Sequence, residues 1–274
     1  MIMYRLIASD LDETLIKADR TVCEENIEAI KKFMDNGGYF VCATGRPFFT
    51  AFGTLKELGQ YEKEGQYVIS FNGGAITENK GNRLLHYEGI TFEQASELYK
   101  RGLKYDVCMH VYTLDTVYTY NMNPGEVAYL DNRQEFTEIF TDNIDFLKDT
   151  EIVKCLYENT DHEYLRSIAA ELTDITDDMD VSYSSNRYLE FNKKGVNKGA
   201  GLLRLADLLG IDHKDTIAIG DNYNDLAMIK AAGLGVGVAN TIESMKPECD
   251  VITERDCDHG AVAEVIEKYV FGNK

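Results

Sequence analysis

MYRLIASDLDETL, residues 3 to 15, decides how the rest of the chain is read. An apolar run that stops abruptly at acidic and polar residues is the pattern of a buried parallel strand that delivers side chains to the rim of a sheet. The pattern recurs in YFVCATG (39–45), YVISFNG (67–73), TIAIGD (216–221) and LGVGVAN (234–240). Amphipathic stretches lie between or beside these runs. Residues 24–36 put Ile27, Ile30, Phe33 and Met34 on one face and stop at Gly37 and Gly38, with Thr21 and Glu24 spaced for a capping box. Residues 198–209 put Leu202, Leu205, Ala206 and Leu209 on one face and stop at Gly210. Strand and helix alternate, so the chain is predicted to form an α/β fold whose parallel sheet is covered on both faces.

Between about residues 83 and 188 the texture changes. VCMHVYTLDTVYTYN (107–121) reads as a hairpin, and KCLYE (154–158) as a strand before a helix from His162 to Leu172. This is an inserted α+β domain, after which the α/β pattern resumes. The expected organisation is a discontinuous first domain, 1–82 with 189–274, and a second domain, 83–188.

The chain has 274 residues and a formal net charge of −19. That charge repels polyphosphate backbones and anionic membranes, and no basic stripe is present, so nucleic acid and membrane are not expected partners. Six scattered cysteines without a C-x-x-C pair suggest a reducing compartment. No run approaches the length of a membrane span, and Asp10 falls where a signal peptide would still be apolar, so a cytoplasmic location is expected.

Ligands of open parallel sheets bind outside the carboxyl ends of the strands. The residues that end these strands are Asp10 and Asp12, then Thr44, Gly45 and Arg46, then Asn72 and Gly73, then Asp221, Asn224 and Asp225. Crowded carboxylates repel unless a cation sits among them, and oxygen-only ligation with few protein ligands points to Mg²⁺. Asp10, Asp221 and a phosphate dianion would carry about −4 against about +3 from Mg²⁺ and one lysine. Little room remains for another ionised carboxylate, so Asp12 is expected to be protonated when substrate binds, as a general acid must be.

SDLDETL (9–15), ATGR (43–46), NKG (197–199) and GDNYND (220–225) resemble, in order, the four motifs of the haloacid dehalogenase superfamily. The insertion resembles a C2-type cap. The whole chain, down to RYLEFNKKGVNKG (187–199), is similar to the Cof-type sugar phosphatases and their YidA-like branch. The resemblance implies a three-layer, Rossmann-like core and hydrolysis of a small phosphorylated metabolite, a sugar phosphate foremost, with pyridoxal phosphate and flavin-type phosphates as the substrates of sister branches. It implies Asp10 as nucleophile and Asp12 as acid and base. Mg²⁺ would be held by Asp10, the backbone carbonyl of Asp12, and Asp221. Leu11, Thr44, Gly45, Arg46, Lys198 and Asn224 would hold the phosphate or substrate, and Asp225 would orient Lys198 or the waters of the metal. Glu13 departs from the family pattern, which has glycine there.

Each motif alone has a plainer reading. D-x-D can be a helix cap, T-G-R a turn with a surface arginine, N-K-G an N-cap before a solvated lysine, and G-D-x-x-N-D a cap with a charged first turn. For Arg46 a structural salt bridge competes with a substrate contact. The cap tyrosines Tyr112, Tyr118, Tyr120 and Tyr129 read more readily as strand formers than as a pocket lining. The histidines show no metal-ligand spacing. Two other functions compete: a phosphomutase, which would return an isomeric sugar phosphate, and a phospho-aspartate switch or metal-dependent binding module without turnover, against which Asp12 argues because a slow switch would do better without an acid and base.

Overall fold

The computed structural model describes residues 4–131 and 133–272. They divide into a core unit, up to Tyr87 and from Asn197 onward, and an inserted unit, Glu88–Val196. Among the described residues no helix is long and apolar enough to cross a membrane.

The core unit is built on an eight-stranded sheet. Its strands are β1 (Leu6–Ser9), β2 (Tyr39–Ala43), β3 (Tyr67–Ser70), β4 (Ala75–Glu78) and β5 (Arg83–Tyr87), then β12 (Thr216–Gly220), β13 (Leu234–Gly237) and β14 (Val251–Ile252), in the order β14-β13-β12-β1-β2-β3-β4-β5. β1 pairs in parallel with β2 on one side and β12 on the other. The strand order therefore reverses at β1, and in sheets of this kind ligands bind at that reversal, beyond the carboxyl ends. Alternation along the strands sends Leu6, Ala8, Val41, Ala43 and Ile69 into one apolar cluster with Leu202, Leu205 and Ala206 of the helix Lys198–Leu209. The opposite face is covered by the helix Glu24–Asp35, which packs on β2 and buries Ala29, Ile30 and Phe33. Gly210 ends Lys198–Leu209 in the left-handed conformation, with φ 63°.

Three sequence expectations are corrected here. The sheet is not wholly parallel: β3 stops at Ser70, and β4 and β5 return antiparallel to form its edge. A parallel return needs a crossover of a dozen or more residues, and only Phe71–Gly74 separate β3 from β4. Thr21 does not cap the first helix. Its hydroxyl donates to Asp19 at 2.6 Å, and Cys23 is the N-cap, with no side-chain bond. The units also divide later than expected, because Arg83–Tyr87 completes the core sheet while the strand Tyr188–Lys193 pairs within the insertion.

The inserted unit carries β6 (Cys108–Thr113), β7 (Val117–Tyr120), β8 (Thr137–Glu138), β9 (Ile152–Glu158), β10 (Met179–Ser184) and β11 (Tyr188–Lys193), in the order β10-β11-β9-β6-β7-β8. One face places Met109, Val111, Cys155, Tyr157, Leu189 and Phe191 in an apolar core with Leu98, Tyr99, Leu165 and Ile168 of the helices Phe92–Gly102 and His162–Glu171. Period-two alternation sends His110, Tyr112, Lys154, Glu158 and Glu190 to the other face, where they are buried. Lys154 is paired with Glu190 at 2.5 Å. Three of the four tyrosines lie on these strands and are split by this alternation, whereas Tyr129, expected as a strand former, lies in the helix Pro124–Leu130. Tyr118 and Tyr120 pack on the helix side, Tyr112 lies beside His110, and Tyr129 stacks under Arg187 at 4.3 Å.

Candidate active site

Each residue singled out at the strand ends is delivered by a short turn whose backbone is tied down. Asp10 leaves β1 with its N–H bonded to the Ile219 carbonyl at 2.9 Å, which holds it beside the end of β12. Asp221 leaves β12, and its Oδ1 accepts from the Thr14 hydroxyl at 3.0 Å. Thr14 is fully buried and belongs to the same turn as Asp10. Lys198 opens the helix Lys198–Leu209 behind the N-cap Asn197, whose side chain accepts from Ala200 N–H at 2.9 Å. The cap in N-K-G is therefore real, but the lysine after it is not solvated. Lys198 is fully buried and donates both to Asp10 Oδ1 and, at 2.6 Å, to Asp225 Oδ1.

Asp225 uses its other oxygen to accept from the N–H groups of Asp221, at 3.0 Å, and Asn222, at 3.2 Å. The two glycines in these motifs permit the close approach. A Cβ on Gly220 would fall 2.4 Å from that of Asp225, and one on Gly199 would fall 2.4 Å from the Ala227 carbonyl oxygen.

Carboxylate oxygens of Asp10, Asp221 and Asp225 lie within 4.8 Å of one another. Lys198 is the buried cation among them. Burial works against its charge, but Asp10 and Asp225 outweigh burial and hold the ammonium above its ordinary range. Burial pushes Asp10 up to about 7, the Lys198 charge opposes it, and Asp225 adds to it. Asp221 is also pushed up to about 7, by burial first and then by Asp225. Three buried carboxylates share one buried ammonium, so the cluster carries more negative charge than the protein neutralises, and a hard divalent cation fits that donor set. Asp225 is committed to Lys198 and two backbone donors. Asp10 and Asp221 are the side chains suited to the metal.

The second turn carries Thr44 and Gly45 off β2, the strand paired with β1. Thr44 is buried, with its N–H on the Ile69 carbonyl at 2.8 Å and its carbonyl on the Asn72 N–H at 2.9 Å. Its hydroxyl accepts from the Arg46 N–H at 3.1 Å. Phe71 and Asn72 take left-handed φ values of 52° and 55°, and the Asn72 side chain lies against Gly45 with its Oδ1 buried and without a partner. Strain of this kind, about 1–3 kcal/mol per residue, collects at functional sites. Arg46 sends its guanidinium to Asp12 Oδ1, a positive charge that the charge count from sequence left out.

Leu11 is buried with its carbonyl accepting from Leu15 and Ile16, whereas Asn224 is exposed on the turn Tyr223–Asp225. Glu13 is left-handed at φ 58°, the conformation that the family glycine adopts freely, and its carbonyl accepts from Asn240 at 2.7 Å. Sequence reasoning placed Asn72 at the rim without a role and did not single out Thr14. The threonine of SDLDETL was the available signal for Thr14.

The family model for haloacid dehalogenase-like hydrolases matches residues 7–266, nearly the whole chain. The chain belongs to this family. It is 30% identical to the 5-amino-6-(5-phospho-D-ribitylamino)uracil phosphatase YcsE of Bacillus subtilis, over 97% of this chain and 96% of that one. It is 26% identical to the HMP-PP phosphatase of Yersinia enterocolitica, over 98% of this chain and 96% of that one. A haloacid dehalogenase-like hydrolase from Bacteroides thetaiotaomicron superposes with a TM-score of 0.83 at 30% identity, covering 97% of this chain and 99% of the other. Membership at full length among phosphatases makes this haloacid dehalogenase-like chain a phosphoric monoester hydrolase.

Proposed function

We propose that the protein is a Mg²⁺-dependent phosphatase that hydrolyses small phosphorylated metabolites, sugar phosphates foremost, through a phosphorylated Asp10. The observation that carries the reading is Lys198, fully buried and bonded at once to Asp10 and Asp225. Fixing a buried ammonium against a carboxylate at a strand end is costly, and it serves to gather charge where a phosphoryl group transfers. The substrate class is supported by the likeness to YcsE, which is named for a phosphate carried on a ribityl chain.

In the first half-reaction an Asp10 oxygen attacks phosphorus and the bond to the ester oxygen breaks, while Asp12 gives its proton to the departing alcohol. In the second, water attacks the aspartyl phosphate and yields its proton to Asp12, and Asp10 is released as carboxylate. Thr44, Gly45 and the backbone of Leu11 orient the phosphate oxygens, and Lys198 offsets their charge. Asp10, Asp221 and the Asp12 carbonyl would hold Mg²⁺, which when bound screens the approach of a carboxylate to an anionic phosphate. Thr14 keeps Asp221 turned to its place. Arg46 lies on Asp12, and Asn224 remains available to the substrate.

A turnover assay with a chromogenic phosphate ester, with and without Mg²⁺, followed by a panel of sugar phosphates, tests the reading. Free phosphate should appear only with the metal and fastest from a sugar phosphate. Absence of phosphate release in every condition would sink it, and an isomeric sugar phosphate as product would make the enzyme a mutase.

A further inference from the structure

The Arg46–Asp12 ion pair spans 34 residues of sequence and joins two turns that leave adjacent strands. Its arginine is anchored with unusual care for a surface residue. The Arg46 N–H is held by the Thr44 hydroxyl at 3.1 Å, its carbonyl accepts from the Phe71 N–H at 3.0 Å, and Pro47 follows with φ −57°. The Phe71 and Asn72 backbone that closes this loop is left-handed at both residues. On the other side, the Asp12 backbone is fixed by its neighbour Glu13, whose carbonyl is bonded to Asn240. What remains free at Asp12 is the rotation of one short side chain that is half exposed.

A half-exposed pair of this kind adds little to stability, roughly 0–1 kcal/mol. Strained backbone spent on anchoring it is not explained by stability. Proton transfer, by contrast, is sensitive to placement, and an error near 1 Å costs about 10²-fold.

We propose that Arg46 is the positioning residue for Asp12, aiming its carboxyl group for both proton transfers of the reaction. The inference rests on the reading of Asp12 as acid and base. In the first half-reaction the Asp12 proton passes to the ester oxygen as its bond to phosphorus breaks. In the second the proton of the attacking water passes to Asp12 as the Asp10–phosphorus bond breaks. Arg46 stays protonated throughout and neither gives nor takes a proton, because guanidinium does not lose its charge in proteins. One guanidinium N–H donates to Asp12 Oδ1, which leaves Oδ2 to carry the proton.

A double-mutant cycle tests this with Arg46→Gln, Asp12→Asn and the pair, assayed on a sugar phosphate and on p-nitrophenyl phosphate, with unfolding midpoints measured for each. Arg46→Gln should lower kcat on the sugar phosphate by about 10- to 100-fold while KM changes by less than about twofold. In the Asp12→Asn background the same change should cost less than about twofold, because the group it aims is already gone. Arg46→Lys should recover only part of the loss. Equal losses in both backgrounds, or a raised KM with kcat intact, would show that Arg46 binds the substrate directly and would overturn the proposal. An unchanged kcat would reduce the contact to a surface ion pair. Asp12→Asn without effect on the sugar phosphate would instead remove the acid–base reading itself, an outcome read from a different variant.

Discussion

Lys198 and Asp225 are hydrogen-bonded at 2.6 Å with both side chains fully excluded from solvent. Because Asp225 also accepts the N–H groups of Asp221 and Asn222, a single carboxylate joins the lysine on one helix to the turn that carries Asp221. The position of the lysine and that of the acidic turn are therefore one structural variable.

Breaking that link should unfold the core unit before it alters chemistry. Asp225→Asn retains an oxygen for the backbone donors but turns an amide N–H₂ toward an ammonium. Removal of one partner from a buried pair costs about 3–5 kcal/mol. Urea unfolding should show an unfolding free energy lowered by that amount, seen as a lower midpoint with little change in slope, and a midpoint unaltered from the parent protein would mean that the pair is not buried as described.

The pH dependence of stability should depend on the metal. Asp10 and Asp221 are pushed up from 3.8 to about 7, so in the metal-free protein the folded state binds more protons than the unfolded state between about pH 4 and 7. Stability from these two groups is then greatest below pH 4 and is lost as pH rises toward 7. Mg²⁺ competes with those protons. Its stabilising effect should be small at pH 5 and large at pH 8, as read by thermal unfolding in EDTA and in excess Mg²⁺. A gain that is equal at both values would show that the metal does not share a site with the two carboxylates.

Thr14→Val removes the hydroxyl that holds Asp221 Oδ1 and leaves the volume almost unchanged. Loss of such a supporting bond typically weakens metal affinity by about 10- to 100-fold. The Mg²⁺ concentration for half-maximal activity should rise by that factor, while kcat at saturating metal stays within about threefold. A fall in kcat that excess Mg²⁺ does not relieve would give Thr14 a different task.

The strand ends were legible in the sequence because a buried parallel strand must be apolar until it surfaces, so Ser9, Ala43 and Gly220 stand one residue before Asp10, Thr44 and Asp221. Lys198–Leu209 matched to the residue, since its cap, apolar face and terminal Gly210 agree with one another. The burial of Lys198 was not legible. An N-cap sequence is the same whether the next side chain meets water or two carboxylates from elsewhere in the chain. A structural salt bridge is one of the two readings the sequence offers for Arg46, but its partner Asp12 was not legible, as the contact depends on the adjacency of β1 and β2 and on the left-handed Phe71 and Asn72, which no local preference announces. Thr21 misled because Asp19 offered its hydroxyl a nearer partner than the helix. The faces of the inserted sheet could be separated by alternation, but the burial of the polar one could not.

The central claim is that Asp10 is phosphorylated. The most direct measurement is to quench the Asp12→Asn variant in acid during turnover of p-nitrophenyl phosphate, whose phenolate departs without a proton from Asp12, reduce the acyl phosphate with tritiated borohydride, and map the label by mass spectrometry. Asp12→Asn should slow the hydrolysis of the intermediate by about 10²–10⁴-fold and let it accumulate. The expected result is homoserine at position 10, absent without substrate and absent without Mg²⁺. Phosphate release with no label on the protein, or label on any other carboxylate, would contradict the account.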